Sequence, residues 1–395
     1  MRAEKKQLWQ YYKTAKFNPV YAGFRTAGEL ADYDRLRRKI FEHNLRLPVN
    51  LFRGADVLEF GPASGENSLV FARWGAKLHL VEPVEEFLIQ LKTYFSRFGL
   101  QRSLRKVVCC DVESYRDRRK YDIVVAEGFI YTLGSPQRWV PLLLSFVKDG
   151  GFVLYNHIDA GSCLIEVLLN KVFQVFLSRT RAEPMALARR FYGKKWDMVP
   201  HVRSFESWVG DSLLNPLINR HTLYTLMDQQ RAMNRQDFDL WSSWPALYSK
   251  DMTWIKKPLE KKRFRHEMRR SFMAIVPSLI LGCYVEVLPA MEEHGGALMG
   301  RLLGMVRGLD GLTEETSMAQ IQTILANHQA IEEIFSKAIR DYDASMIREL
   351  WNDIEEVVRA VGTDDLSKAI RVFNRPGPLL TFWGSPNVYC VWHRL

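Results

Sequence analysis

The chain has 395 residues, 47% of them apolar and 12% aromatic, which is enough to bury a large core and to form two lobes. Its formal net charge of +10 admits polyanionic partners without demanding them. Five cysteines without CxxC spacing and nine scattered histidines without HExxH or a Cys/His cluster exclude a disulfide scaffold and give no support for a zinc site, so no metal is expected.

In chain order, residues 4–50 read as helical, with Leu8, Tyr11 and Tyr12 in one stretch, residues 30–44 in another, and Pro48 ending the pattern. The run from Ala55 is apolar, carries Glu59, and turns through Gly61, Ala63 and Gly65 into a helical segment, residues 66–74, that stops at Gly75. A glycine has no Cβ, so backbone can come close to a ligand there, and free N–H groups at a helix start favour an electron-rich group. A second strand, residues 77–81, ends at Glu82, whose carboxylate can accept both hydroxyls of a ribose. A third, residues 106–110, ends at Asp111; a fourth, residues 121–126, ends at Glu127; a fifth, residues 151–155, leads to Asn156 and His157. Helical stretches at 85–98 and 137–148 separate them, so the crossover rule predicts a parallel sheet covered on both faces, with ligands at the carboxyl ends of its strands.

The pattern resembles the class I S-adenosylmethionine-dependent methyltransferases. The resemblance rests on Glu59-x-Gly61-x-Ala63-x-Gly65, on Glu82, on Asp111 and on the strand that leads to Glu127, and it covers residues 53–160 best. It implies an α/β fold: a Rossmann-like methyltransferase sheet with N-terminal helices and a large helical insertion before the last strand. It also implies S-adenosyl-L-methionine as cofactor, with Gly61 to Gly65 at its methionine part, Glu82 on the ribose hydroxyls, Asp111 on the adenine amino group, Val112 against the ring, and Glu127 and Gly128 beside the sulfonium. Members often fold N-terminal helices over the cofactor, which makes Tyr12 and Tyr21, with Tyr11 and Phe24, candidate pocket residues. Ala63 departs from the glycine that many members carry. A dinucleotide fingerprint, G-x-G-x-x-G, would need glycine at positions 63 and 66, where Ala63 and Glu66 stand.

Residues 160–235 read as mostly helical, residues 237–245 as a sixth strand and residues 387–393 as the last. In the superfamily the seventh strand inserts antiparallel between the fifth and sixth. The expected organisation is therefore a helical lid at 1–50, a cofactor-binding core at 51–245 with the helical segment 160–235, a helical cap at 246–384 beside the active-site edge, and a returning strand at 385–395. Within the cap, Gly296, Gly300, Gly304 and Gly308 recur every four residues, a stripe read as internal helix packing ahead of a homodimer seam. Ser317 and Gln320 offer a capping box.

Nine Lys/Arg residues between Lys250 and Arg270 stand against three acids. The run is read first as a solvated helix face; nucleic-acid phosphate and an anionic membrane surface are the competing readings and are not favoured. Residues 271–290 form the longest apolar stretch, but Pro277, Gly282, Glu286 and Pro289 break it, so it is read as core and no transmembrane segment is expected. The first ten residues lack the apolar segment of a secretory signal, and Cys109 and Cys110 fall in a strand expected to be buried, which together suit a cytoplasmic protein with reduced thiols.

Methyl transfer from a sulfonium is an in-line displacement, so holding nucleophile, methyl carbon and sulfur in a row supplies most of the catalysis. His157 is the first candidate for proton acceptor, with Glu127 and Asp159 behind it. Phe129 and Tyr131 are candidates to line the sulfonium or substrate side, where an aromatic face attracts a cation. Glu127-Gly128-Phe129-Ile130 stands where base-amine methylases carry an Asn/Asp-Pro-Pro-aromatic sequence. A small or medium-sized metabolite is therefore the expected substrate. The alternatives are RNA or protein methylation through the basic run, and an enzyme that transfers or cyclises the aminocarboxypropyl arm of the same cofactor.

Overall fold

A computed structural model describes residues 2–15, 24–199, 201, 203–215, 224–233, 237–247, 261–342, 346–384 and 387–395. The chain divides into two compact units. One comprises Met1–His157, Tyr224–Leu247 and Asn387–Leu395; the other comprises Ile158–Leu223 and Tyr248–Pro386.

The first unit is built on a seven-stranded sheet of β1 (Asp56–Phe60), β2 (Lys77–Glu82), β3 (Leu104–Cys109), β4 (Tyr121–Ala126), β5 (Val147–Ile158), β6 (Phe238–Trp244) and β7 (Asn387–Arg394), in the order β3-β2-β1-β4-β5-β7-β6. β1 pairs in parallel with β2 and β4, β2 with β3 and β4 with β5, whereas β6 and β7 run antiparallel. The central strands β1 and β4 are buried along nearly their whole length, as continuous apolar runs require of a sheet covered on both faces. β3 lies at the edge, and this corrects one expectation: Cys109 is exposed and Cys110 half-buried, because an edge strand has a neighbour on one side only. β5 begins at Val147, ahead of the expected start at Gly151 and inside the stretch expected to be helical, and its pairing with β4 shifts register between Tyr121 and Ile123.

Helices α1 (Arg2–Ala15), α2 (Ala27–Lys39), α3 (Glu66–Arg73), α4 (Glu85–Arg97) and α5 (Pro136–Leu144) belong to this unit. Phe41, Phe52, Phe71 and Trp74 form an aromatic cluster, with the Phe52 and Phe71 rings stacked at 5.1 Å, that packs the N-terminal segment on α3. Trp74 Nε1 donates to Asp34 Oδ1 at 2.7 Å and joins α3 to α2.

The second unit is helical: α6 (Leu164–Thr180), α7 (Pro184–Asp197), α8 (Phe205–Trp208), then, after α9 (Leu226–Met233) of the first unit, α10 (Lys261–Leu281), α11 (Ala290–Asp310), α12 (Met318–Ala338), α13 (Met346–Gly362), α14 (Leu366–Asn374) and α15 (Pro378–Thr381). α6 is buried nearly all round and packs against α7, α10, α11 and α13, as a central helix does, although Glu166, Asn170 and Gln174 give it one polar stripe. The capping box at Ser317 and Gln320 is present. Lys195 is fully buried, and its ammonium donates to the carbonyls of Leu379 at 2.8 Å, Leu380 at 3.3 Å and Phe382 at 2.5 Å, which fills all three of its donors.

Among the described residues no helix is long and apolar enough to cross a membrane. Of the basic run, residues 250–260 lie outside the described residues, and Arg270 is paired with Glu292.

The glycine stripe of α11 is not uniform. A Cβ on Gly308 would lie 2.7 Å from Ile324 and one on Gly304 2.9 Å from Asn327, both on α12, while Gly300 meets nothing within 4 Å. Gly308→Ala is therefore expected to destabilise the protein by about 1–3 kcal/mol through overpacking, and Gly300→Ala to stabilise it by about 0.5–1 kcal/mol through helix propensity. Urea titration of the two variants checks the opposite signs; equal shifts would remove the packing argument.

Candidate active site

The loop between β1 and α3 is shaped by backbone that only some residues can adopt. Gly61 and Gly65 have φ of +66° and +90°, and a Cβ on either would lie 2.7 Å from the Phe129 ring or from Leu91 respectively. Ala63 also has positive φ, +47°, a conformation that costs a side-chain-bearing residue about 1–2 kcal/mol. The loop is held in this shape by Gly61 N–H to Val81 O at 2.9 Å and Gly65 N–H to Pro62 O at 2.9 Å. Ala63 N–H donates to Glu82 Oε2 at 3.1 Å, and Val84 N–H to Glu82 Oε1 at 3.0 Å.

Glu82 is thus a buried carboxylate with one backbone donor on each oxygen. Burial pushes its pKa up to about 7 against the lowering effect of those two bonds. Glu59, also buried, accepts from Ser68 Oγ at 2.5 Å; burial first, and the nearby Glu127 and Glu82 charges after it, push it up to about 8. Glu66, the first residue of α3, is fully buried and accepts from Ser64 Oγ. Acids crowd this loop because β1 and β2 end side by side, in register from Asp56↔Lys77 to Phe60↔Val81.

Asp111 and Val112 come to the same edge because β3 pairs in parallel with β2, Glu82 opposite Cys109. The Asp111 carbonyl accepts from Ser114 N–H at 2.9 Å and Tyr115 N–H at 3.0 Å, which turns the chain; Asp111 is half-buried and Val112 is buried. Tyr12, half-buried on α1, lies with its ring 6.2 Å from Phe87, while Lys13 Nζ is 3.6 Å from Glu86, so α1 meets the start of α4 just past Glu82. Tyr21 lies outside the described residues.

After β4, Arg37 of α2 donates to both oxygens of Glu127 at 2.9 Å, and Asn67 Nδ2 donates to Oε2 at 2.8 Å. Tyr33 donates to Asn67 Oδ1 at 2.7 Å. The pair is almost inaccessible, and the Arg37 guanidinium lies 5.0 Å from the Phe41 ring centroid. Burial alone would lower the proton affinity of Arg37, but the Glu127 charge beside it raises that affinity, so the guanidinium stays charged. Arg37 Nε is buried without a partner. Gly128, φ +80°, donates its N–H to Asn156 Oδ1 at 2.6 Å, which ties the ends of β4 and β5 together. Phe129 packs over Gly61, and Tyr131 is half-buried in the turn Ile130–Leu133.

His157 is buried near the end of β5. Its Nε2 lies 2.9 Å from the Tyr224 carbonyl, which can only accept, so Nε2 carries the proton and Nδ1 keeps a lone pair; that Nδ1 is buried without a partner. Burial lowers its pKa to about 4, against the raising influence of the Tyr224 carbonyl and Asp228. Asp159, further along the chain, accepts from Gly161 N–H, Ser162 N–H and Ser162 Oγ.

Sequence reasoning did not single out Arg37, Asn67 or Tyr33. The one available signal was an arginine on the buried stripe of α2, seven residues after Leu30 and four before Phe41, both of which are buried.

A family model described as a methyltransferase domain matches residues 33–243, more than half of the chain. The chain belongs to the class I S-adenosylmethionine-dependent methyltransferases. Among solved structures, an S-adenosylmethionine-dependent methyltransferase from Thiobacillus denitrificans in complex with S-adenosyl-L-homocysteine is 21% identical, over 37% of this chain and 53% of its own, with a TM-score of 0.28. Magnesium protoporphyrin IX methyltransferase from Synechocystis PCC 6803 is 12% identical, over 39% and 76%, with a TM-score of 0.31. A methyltransferase from Clostridium acetobutylicum ATCC 824 is 16% identical, over 42% and 61%, with a TM-score of 0.27. The chain spans about half the length of the first structures it matches. The family match, not these partial overlaps, carries the assignment. No curated protein matches the chain.

The donor set suits the cofactor of this family. Each Glu82 oxygen has accepted one backbone N–H and can take a further hydrogen bond from a diol; Glu59, Glu66 and Glu82 are buried at the ends of β1 and β2 and the start of α3, and Glu127 is the acid paired with Arg37. Such a surround favours a cationic ligand.

Two measurements follow. Removing one partner of a buried ion pair leaves the other charge uncompensated, so Arg37→Met is expected to cost about 3–5 kcal/mol in urea unfolding, most of it recovered in Arg37→Met/Glu127→Met. Glu59 and Glu82 have folded pKa values above the ordinary 4.5, so from pH 4.5 to about 8 the folded state binds more protons than the unfolded chain and stability falls as pH rises. A cationic cofactor offsets that loss, and the rise in melting temperature on adding S-adenosylmethionine should grow between pH 6 and pH 8.5. A pH-independent rise would count against the acid cluster as its binding site.

Proposed function

We propose that this methyltransferase moves a methyl group from S-adenosylmethionine to a small or medium-sized metabolite by in-line displacement. The observation that carries the reading is Glu82: a buried carboxylate, oriented by Ala63 and Val84 N–H groups, with hydrogen-bonding capacity left on both oxygens beside a glycine loop. In this assignment Glu82 takes the ribose hydroxyls, Asp111 the adenine amino group and Val112 the face of the ring. Gly61, Ala63 and Gly65 approach the methionine part, with Glu59 behind them. The bound cofactor supplies an activated methyl group on a cationic sulfur.

Glu127 is assigned to the cofactor side. Arg37 and Asn67 occupy its two oxygens, which suits it to orient Gly128 and Phe129. His157 is assigned to the nucleophile. With Nε2–H committed to the Tyr224 carbonyl, Nδ1 is the atom that receives the hydrogen bond, and the proton, of an incoming hydroxyl or amine. Phe129, Tyr131 and Tyr12 are assigned to the walls of the substrate side, together with Tyr21. The helical unit interrupts the chain on both sides of β6, and on that ground it is assigned the part of a cap.

Mass spectrometry of small molecules retained by the purified protein, followed by turnover of labelled cofactor against a metabolite extract, tests the reading. Methyl transfer leaves S-adenosylhomocysteine, whereas attack on the aminocarboxypropyl arm leaves methylthioadenosine, and the second product would overturn the proposal. Asp111→Ala is expected to weaken cofactor binding by about 1–3 kcal/mol in calorimetry. The rate profile of the identified reaction should lack an inflection near pH 6.5, because His157 stays neutral down to about pH 4; a drop centred at 6.5 would remove His157 from the nucleophile's side.

A further inference from the structure

The α9 helix carries a further buried polar side chain with no partner. Gln229 is fully buried, and neither its Nε2 nor its Oε1 has a hydrogen bond. An amide in this state costs the full desolvation of a donor and an acceptor, which a folded protein tolerates where something else completes the bonds. Leu226, Gln229, Gln230, Ala232 and Met233 are the buried residues of α9, and α9 packs on α5, the helix that follows the turn bearing Phe129 and Tyr131.

The same helix is tied to the end of β5. The Tyr224 carbonyl, two residues ahead of α9, receives His157 Nε2–H at 2.9 Å, and Asp228, next to Gln229, is close enough to influence the proton affinity of His157. The charge of Asp228 is itself taken up by Thr225 N–H and Oγ1, both at 2.8 Å, and by Arg231. Two neighbouring elements at one strand end thus hold three unfilled atoms: an acceptor on His157, and a donor and an acceptor on Gln229. Neither side chain carries a charge at neutral pH.

We propose that Gln229 is a substrate-binding residue which, with His157, selects an uncharged acceptor molecule bearing a hydroxyl or a carboxamide. The inference rests on the methyl-transfer reading and adds to it a class of substrate. A carboxylate, phosphate or ammonium group brought to these atoms would be desolvated without a counter-charge, whereas a neutral group with one acceptor and one or two N–H or O–H donors fills them. The complement needs no ionised partner.

The test uses the full chain with tritiated S-adenosylmethionine and an aqueous metabolite extract, comparing wild type with Gln229→Met, which keeps the shape and removes both polar atoms. The expected result has three parts. S-adenosylhomocysteine binds the variant with unchanged affinity in calorimetry; the variant melts at the same or a higher temperature, because two unfilled polar atoms are gone; and kcat/KM for the labelled acceptor falls at least tenfold, mainly through KM. Undiminished transfer by Gln229→Met overturns the proposal, and so does a lower melting temperature with KM unchanged, which would mean that the amide serves the fold through an ordered water. A labelled acceptor whose reacting end is anionic or cationic also overturns it. If wild type binds the cofactor but labels nothing, the methyl-transfer reading falls and this inference falls with it; that outcome is distinct, because it is seen before any variant is made.

Discussion

A carboxylate buried at the end of β2 is the constraint on which the cofactor side depends. Glu82 takes a backbone N–H on each oxygen, one from Ala63 in the β1–α3 loop and one from Val84 at the start of α4. The first bond holds Ala63 in a left-handed conformation that an alanine adopts only under such compulsion. Without it the loop would relax towards extended backbone, and the groups between Gly61 and Gly65 would no longer face one point. Burying the charge is costly, which is why its proton affinity rises. The site therefore stores instability that a ligand donating two further hydrogen bonds relieves, a usual trade between stability and function at a strand edge.

The Arg37–Glu127 pair does for the β4 end what Glu82 does for β2. A buried ion pair is weak evidence of net stabilisation, because two desolvation costs stand against one attraction. Its effect is geometric. One guanidinium nitrogen reaches both Glu127 oxygens, Asn67 reaches one of them from α3, and Tyr33 orients Asn67. Three elements far apart in the chain converge on one side chain, so the loop that carries Gly128 and Phe129 has a single placement over Gly61. Phe129 in turn forbids a Cβ at Gly61. The glycine is thus required twice, by its own φ and by an aromatic ring fixed through an ion pair.

These two constraints also explain what could be read from the sequence. Strands that are continuous apolar runs closed by an acid are local patterns, and β4 falls on Tyr121–Ala126 as the pattern indicates. The acids at 59, 82, 111 and 127 were legible because each stands at the end of such a run. Arg37 was not, since its partner is ninety positions away and nothing local distinguishes a buried arginine from a solvated one. The exposure of Cys109 depends on strand order, and the sorting of 158–223 with 248–386 into one helical unit depends on packing across two interruptions. The tautomer of His157 needed Tyr224, which no motif places beside it. Chemistry carried by strand ends was visible; chemistry carried by contacts between distant segments was not.

The edge of the sheet divides into two electrostatic environments. Around β1 and β2, buried acids outnumber buried cations, so a ligand that brings positive charge lowers the energy of groups already present. Around β5 and α9, the unfilled atoms belong to a neutral imidazole and a neutral amide; Asp228 is neutralised by its own turn and by Arg231, and Asp159 accepts from Gly161 N–H, Ser162 N–H and Ser162 Oγ. Under the proposed displacement at a methyl group on cationic sulfur this division is useful. Attack by a neutral nucleophile transfers positive charge away from the sulfur towards the acceptor, and an imidazole with one free lone pair beside that acceptor can share the proton as the charge arrives. In the proposed reading the acids hold the cofactor and the uncharged groups face the acceptor, a division that follows from which strand ends carry glutamates and which carry His157.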